Sequence, residues 1–171
     1  MKKKVFSLLV DNQAGVLSRV AGLFSRRGYN IDSLTVGETE DPAFSRMTIV
    51  TSGEEDVLEQ IEKQLGKLID VASIRVLPAE SSVARELILI KVSATAADRQ
   101  EVIAVADIFR AKIVDVSETS LMIELTGNQS KLEAFIGLLG RHRIRQLART
   151  GITGLSRGSF DEAEEAGNAA Q

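Results

Sequence analysis

An α+β protein built from two successive β-α-β-β-α-β halves is what this sequence predicts. Three observations point there. Apolar positions switch between a two-residue and a 3.6-residue period, in the same order, twice along the chain. Helix-capping and helix-stopping residues mark several of the switches. A short polar stretch, residues 79–84, separates the halves. The length of 171 residues suffices for one medium domain or two small ones. A hydrophobic share of 44% with 26% charged residues is ordinary for a soluble globular protein.

Residues 3–10 carry β-branched and aromatic side chains and read as a strand. Asp11-Asn12-Gln13-Ala14-Gly15 is a loop. Residues 16–27 place Val16, Val20, Leu23 and Phe24 on one helical face, and Arg26-Arg27-Gly28 is a helix stop. Residues 30–39 and 44–51 read as two strands around the turn Glu40-Asp41-Pro42. Ser52 and Glu55 have capping-box spacing ahead of a helix that buries Val57, Leu58, Ile61 and Leu65. Residues 69–77 form a strand ended by Pro78.

The order then repeats. Residues 86–93 are a strand, and Thr95 or Asp98 caps a helix that buries Val102, Val105, Ala106 and Phe109. Residues 112–117 and 121–126 form a hairpin. Ser130 and Glu133 suggest a second capping box, before a helix burying Leu132, Phe135, Ile136 and Leu139 and ending at Gly140. Residues 143–150 are the last strand. Each half thus has the order of a ferredoxin-like plait, a split pair of βαβ units. The expected organisation is a domain over 1–78, a linker over 79–84, a second domain over 85–160 and a disordered acidic tail over 161–171.

Composition excludes several functions. The chain lacks cysteine, so disulfides, thiolate chemistry and cysteine zinc sites are absent. His142, the single histidine, lies between Arg141 and Arg143, where neighbouring cations disfavour a metal. No nucleophile–base pair is visible, so no catalytic residue is assigned. A net charge of −3 gives no field favouring nucleic acid or membrane. Ferredoxin-like folds include RNA-binding modules that stack bases on strand aromatics. Here aromatics are only 4% of residues, and Phe6, Phe24, Phe44, Phe109 and Phe135 fall on core faces. The apolar run after Met1-Lys2-Lys3-Lys4 is too short for a signal peptide. No stretch approaches the roughly 20 residues of a membrane span. A cytoplasmic protein is expected.

The loop of residues 11–15 is the candidate binding element. Amides at a helix start lack intrahelical partners and can hold a carboxylate, aided by the helix dipole. Gly15 lets backbone approach a ligand. Asn12 and Asn30 offer amide groups to an amino acid, and Val16, Leu17 and Ile31 offer apolar contact. Taken alone, the same residues read more readily as an ordinary cap and turn.

The run Asp11-Asn12-Gln13-Ala14-Gly15-Val16-Leu17-Ser18-Arg19-Val20 resembles the ligand loop of the ACT domain, a βαββαβ amino-acid-sensing module. With residues 22–36, Asp41-Pro42, residues 45–49 and residues 60–65, the chain is similar to the acetolactate synthase small-subunit family. Residues 148–152 and 154–158 resemble the end of that family's C-terminal domain. The resemblance implies two ferredoxin-like domains, the first an ACT domain. It implies a regulatory subunit, without a catalytic site, of a transferase in valine, leucine and isoleucine biosynthesis. The partner would be a large catalytic subunit that carries thiamine diphosphate, Mg²⁺ and FAD. The small subunit would activate that partner and confer feedback inhibition by valine. The ACT domains would form a homodimer with valine at the interface. Carried over, Asn12, Ala14, Gly15, Val16 and Leu17 would line one side of the site, with Asn30 and Ile31 completing it from the other protomer.

Partner contacts are expected at the hairpin from Pro42 to Met47 and at Arg149 and Arg157, while Arg141, Arg143 and Arg145 read as a solvated face. A stand-alone amino-acid sensor would share the first domain but need no large subunit.

Overall fold

The computed structural model describes residues 1–140 and 143–158. The elements run β1 (Lys2–Asp11), α1 (Val16–Arg27), β2 (Ser33–Glu38), β3 (Phe44–Gly53), α2 (Glu55–Leu65) and β4 (Val71–Val76). A 3-10 turn (Ala79–Ser81) leads to β5 (Ser82–Ser93), α3 (Arg99–Ile108), β6 (Lys112–Val116) and β7 (Ser120–Gly127), then α4 (Gln129–Leu139), β8 (Ile144–Arg149) and β9 (Thr153–Ser156). The first sheet has strand order β2-β3-β1-β4 and the second β6-β7-β5-β8, with β9 added onto β5. Both are the ferredoxin-like arrangement, and the fold class stands as expected.

In the first unit, β1 pairs antiparallel with β3 and β4. Its alternation sends Phe6, Leu8 and Val10 to one face, with Met47 and Ile49 from β3. Val16, Val20, Leu23 and Phe24 of α1 and Leu58, Ile61 and Leu65 of α2 pack onto them. Helix α1 stops as its sequence requires. Gly28 takes φ +69°, its N–H reaches the Ser25 carbonyl and the Tyr29 N–H reaches that of Phe24.

The second unit repeats the scheme with Ile88, Ile90, Val92, Leu121, Ile123 and Leu125 beneath Val102, Ala106, Leu132, Phe135 and Leu139. Phe109 and Phe135 meet edge to face, with ring centroids 5.3 Å apart.

Both expected capping boxes are corrected. Ser52 is the penultimate residue of β3, and its hydroxyl donates to Asp32. Glu54 is the N-cap of α2, and Glu55 pairs with Lys2 and Lys4 at 2.8 and 3.0 Å. At α4 the cap is Asn128, whose Oδ1 accepts from the Lys131 amide at 3.0 Å and from the Ser130 hydroxyl at 2.9 Å. An Asn and a Ser two residues apart compete for one role, and the helix starts after the Asn. Asn128→Ala should therefore lower the stability of the second unit by about 1 kcal/mol, read by urea denaturation. Ser130→Ala should cost clearly less.

The contact units differ from the expected domain limits. Contacts divide the chain after Ala84 and again after Gly151, so among the described residues the first unit comprises 1–84 together with 152–158, and the second lies within 85–151. Residues 79–84 are no free linker, since they hold the 3-10 turn and the start of β5. The segment from Ile152 belongs to the first unit because its backbone bonds go there. The Arg157 N–H donates to the Ser81 carbonyl at 2.8 Å, and the Thr35 hydroxyl donates to the Ile152 carbonyl at 3.3 Å. A strand of four residues carries too little periodicity to reveal itself, and its partner lies some 70 residues back in sequence. The expected tail, 161–171, lies outside the described residues, as do Arg141 and His142.

Candidate functional site

The loop between β1 and α1 is held at three points. The Asp11 amide donates to the Asp70 carbonyl at 2.9 Å, and the Asn12 amide to the Ala43 carbonyl at 2.8 Å. The Asn12 side chain donates to the Pro42 carbonyl at 2.9 Å and to Glu38 at 3.2 Å, and accepts from the Ser45 hydroxyl at 3.1 Å. In this conformation Asn12 is a brace that ties the loop to the β2–β3 hairpin.

Gly15 is the N-cap of α1, at φ +87° and ψ −11°, with no side-chain cap on the first turn. The left-handed conformation costs a residue with a Cβ about 1–2 kcal/mol, which is why glycine stands here. Asn12, Gln13, Ala14 and Gly15 are exposed. Val16 is only 2% exposed and faces the core, and its N–H donates to the Gln13 carbonyl at 3.4 Å, so its side chain is not offered to a ligand. Leu17 is 45% exposed on the outer side of α1.

Asn30 and Ile31 follow the opposite end of the same helix. Twelve residues of α-helix span about 18 Å, so these two do not reach the loop of their own chain. The Asn30 side-chain amide donates to the Asp32 carboxylate at 2.8 Å, and the Asn30 backbone carbonyl accepts from the Thr51 hydroxyl at 2.6 Å. Ile31 packs against the core of the first unit.

Two residues that the sequence did not bring forward stand beside the loop. Arg19 donates through Nε and Nη2 to the two carboxylate oxygens of Asp70, at 2.5 and 3.0 Å. This fork holds the Asp70 carboxyl below its usual range and raises the guanidinium above its own. Asp70 thus joins the start of the loop, through its carbonyl, to the second turn of α1, through its carboxylate. Arg19 lies four residues after Gly15, so a helical wheel places it beside that glycine. Asp70 is 51 residues further on, and no local pattern marks it.

The partner-contact candidates separate. Pro42 is exposed on the hairpin. Met47 is not available, because it is 1% exposed in the core beside Leu8. The alternation along β3 places it inward, and reading the hairpin as one surface missed that. Arg149 is engaged within the second unit. It holds Glu86 through Nε and Nη2 at 2.9 and 3.0 Å and Glu133 through Nη1 at 2.8 Å. The hydrogen bonds to Glu86, above all, raise its pKa beyond the usual arginine value. Arg157 donates to the Ser82 carbonyl at 3.1 Å and is otherwise exposed. Arg143 pairs with Glu101 at 2.9 Å, and Arg145 with Ser93 at 2.7 Å.

A shallow depression elsewhere on the first unit is lined by Glu59, Glu62, Lys63, Gly66, Lys67 and Ile74, none of them from the β1–α1 loop. Among the described residues no group of three or more His, Cys, Asp or Glu side chains could hold a metal ion, and no helix is long and apolar enough to cross a membrane.

Comparison with known proteins decides the family. Residues 6–73 match the model of the acetohydroxyacid synthase small subunit-like ACT domain, and residues 85–158 match that of the small subunit of acetolactate synthase. The chain belongs to the acetolactate synthase small-subunit family. It is 54% identical over 157 residues to the acetolactate synthase small subunit of Mycobacterium bovis, covering 92% of this chain and 94% of the relative. It is 50% identical over 157 residues to the isozyme 3 small subunit of Salmonella typhimurium, covering 91% and 96%. The crystal structure of the small subunit from Thermotoga maritima superposes with a TM-score of 0.85 at 44% identity, covering 94% of this chain and all of that one. Membership in a small-subunit family implies a large catalytic partner chain. The loop between β1 and α1 lies within the ACT-domain match, so the braced loop and the left-handed Gly15 belong to the part of the chain that carries that family's fold.

Proposed function

We propose that this chain is the effector-sensing subunit of acetolactate synthase: it activates the thiamine-diphosphate-dependent catalytic subunit and confers feedback inhibition by valine. Thiamine diphosphate, Mg²⁺ and FAD belong, in this reading, to the catalytic subunit. The observation that carries the proposal is Gly15. A left-handed glycine opens the first turn of α1 without a side-chain cap, in a loop braced at its β1 end through Asp11 and Asn12, within an ACT domain of this family. Such a turn suits the carboxylate of an amino acid. Burying a valine side chain beside Leu17 contributes roughly 1.5–3 kcal/mol.

The separation of Asn30 and Ile31 from the loop favours a homodimeric site. Two chains related by a twofold axis bring the far end of one α1 to the loop of the other. Valine then bridges protomers and favours one dimer geometry, while the catalytic subunit favours another. A ligand shifts such an equilibrium only by its differential affinity, and the coupling is reciprocal, of the order of 1–3 kcal/mol. A cytoplasmic location accords with this role.

The test is acetolactate formation by the purified catalytic subunit, with and without this chain and with and without valine. Activation by the chain and its suppression by millimolar valine are expected. Activation without valine sensitivity would refute the sensing role. No activation and no co-purifying catalytic chain would favour a stand-alone sensor.

A further inference from the structure

We infer that Arg19 is the cationic anchor for the α-carboxylate of the amino acid held at this loop, and that Asp70 is its positioning residue. The inference rests on the sensing role proposed above and names a group within that site.

A Cβ built on Gly15 would lie 3.0 Å from Arg19 Nη1 and 3.8 Å from its Cζ, with no other side chain within 4 Å. The guanidinium therefore forms the wall of the space that a side chain at position 15 would enter. A guanidinium has five N–H donors in a planar fork. Asp70 engages one edge, Nε and Nη2. The edge that carries Nη1 is turned toward the loop, and carboxylate recognition by such an edge is directional and charge-assisted.

Asp70 is the reason this edge stays in place. A free arginine on the second turn of a helix would sample many rotamers. Here Asp70, whose side chain is only 12% exposed, clamps an arginine that is itself 50% exposed. Because Asp70 also takes the Asp11 amide through its carbonyl, one residue ties both the start of the loop and the guanidinium. The ion pair leaves little net charge, so the gain for a bound carboxylate comes from aimed hydrogen bonds more than from a bare cation.

The experiment is calorimetry on the full chain with L-valine and with L-valinamide, which keeps the ammonium and side chain but replaces the carboxylate with a neutral amide. The wild-type chain should prefer valine by tenfold or more. In Arg19→Gln, valine should weaken at least tenfold while valinamide changes less than twofold, so the preference collapses. Arg19→Lys, which keeps charge without the fork, should fall between. In Asp70→Asn valine should weaken severalfold with the preference largely kept. An equal loss of both ligands in Arg19→Gln and Arg19→Lys would mean that Arg19 only supports the loop, and unchanged valine affinity would remove it from the site. A wild-type chain that binds neither ligand would overturn the sensing role itself, and this assignment with it.

Discussion

Gly15→Asp should abolish valine inhibition of the reconstituted enzyme while leaving activation of the catalytic subunit largely intact. Three effects act in the same direction. The residue must adopt φ +87°, which costs about 1–2 kcal/mol, less for Asp than for most side chains. The new Cβ would lie 3.0 Å from Arg19 Nη1, at the flexible end of a side chain that can shift slightly. The new carboxylate would then occupy the position proposed for the ligand's own. A tethered anion competes at high effective concentration and repels a second one. The half-inhibitory valine concentration should rise more than tenfold. Gly15→Ala separates the causes: it has the strain and the Cβ but no charge, and should retain part of the inhibition. Normal valine inhibition in Gly15→Asp would mean that the effector binds elsewhere.

Arg149→Ala should destabilise the second unit by about 3 kcal/mol, measured by urea denaturation of the full chain. Removing one partner of a buried ion pair typically costs about 3–5 kcal/mol, because the remaining charge stays desolvated. The remaining charge here is Glu86, whose side chain is 6% exposed, while Arg149 itself is 34% exposed, which places the effect at the lower end. Glu133, at 52% exposure, returns to water at little cost. The double variant Arg149→Met with Glu86→Leu should recover most of the loss, since it removes the stranded carboxylate. Valine binding by the first unit should persist at temperatures below the lowered transition. If Arg149→Ala leaves stability unchanged and loses only activation, Arg149 is a partner contact and the clamp is incidental.

The parts of the fold legible in the sequence were those with strong local signals. Helix α1 has matched ends: apolar spacing from Val16 to Phe24, two arginines and a left-handed glycine. Strands β5 and β7 alternate over most of their length because one face lies under helices, while β1 and β3 stand out by their β-branched and apolar runs. The failures have physical causes. Ser52 and Ser130 have capping-box spacing, but β3 continued through Gly53 and Asn128 took the cap of α4. Strand β9 is too short to have a period, and β-pairing depends on which edge is open.

The candidate site divides the same way. Gly15 and the loop were visible, because a glycine at a helix start has few readings. Whether Asn12 faces a ligand was not, because its brace to Pro42 is a long-range fact, whereas the core position of Val16 already followed from the apolar face of α1. Met47 was misplaced for want of its register with Leu8.

By itself the chain's order of residues determined two plaits, a glycine-opened helix and a likeness to the acetolactate synthase small-subunit family, since these follow from local periodicity, turn chemistry and motifs in register. Only the tertiary structure decided which charged groups meet. It brought Asp70 to Arg19, Glu86 to Arg149, and the segment after Gly151 back to the first unit. Pairings across 51 and 63 residues carry no local signature. Their energy exists only once burial has removed the water that would otherwise solvate each group alone.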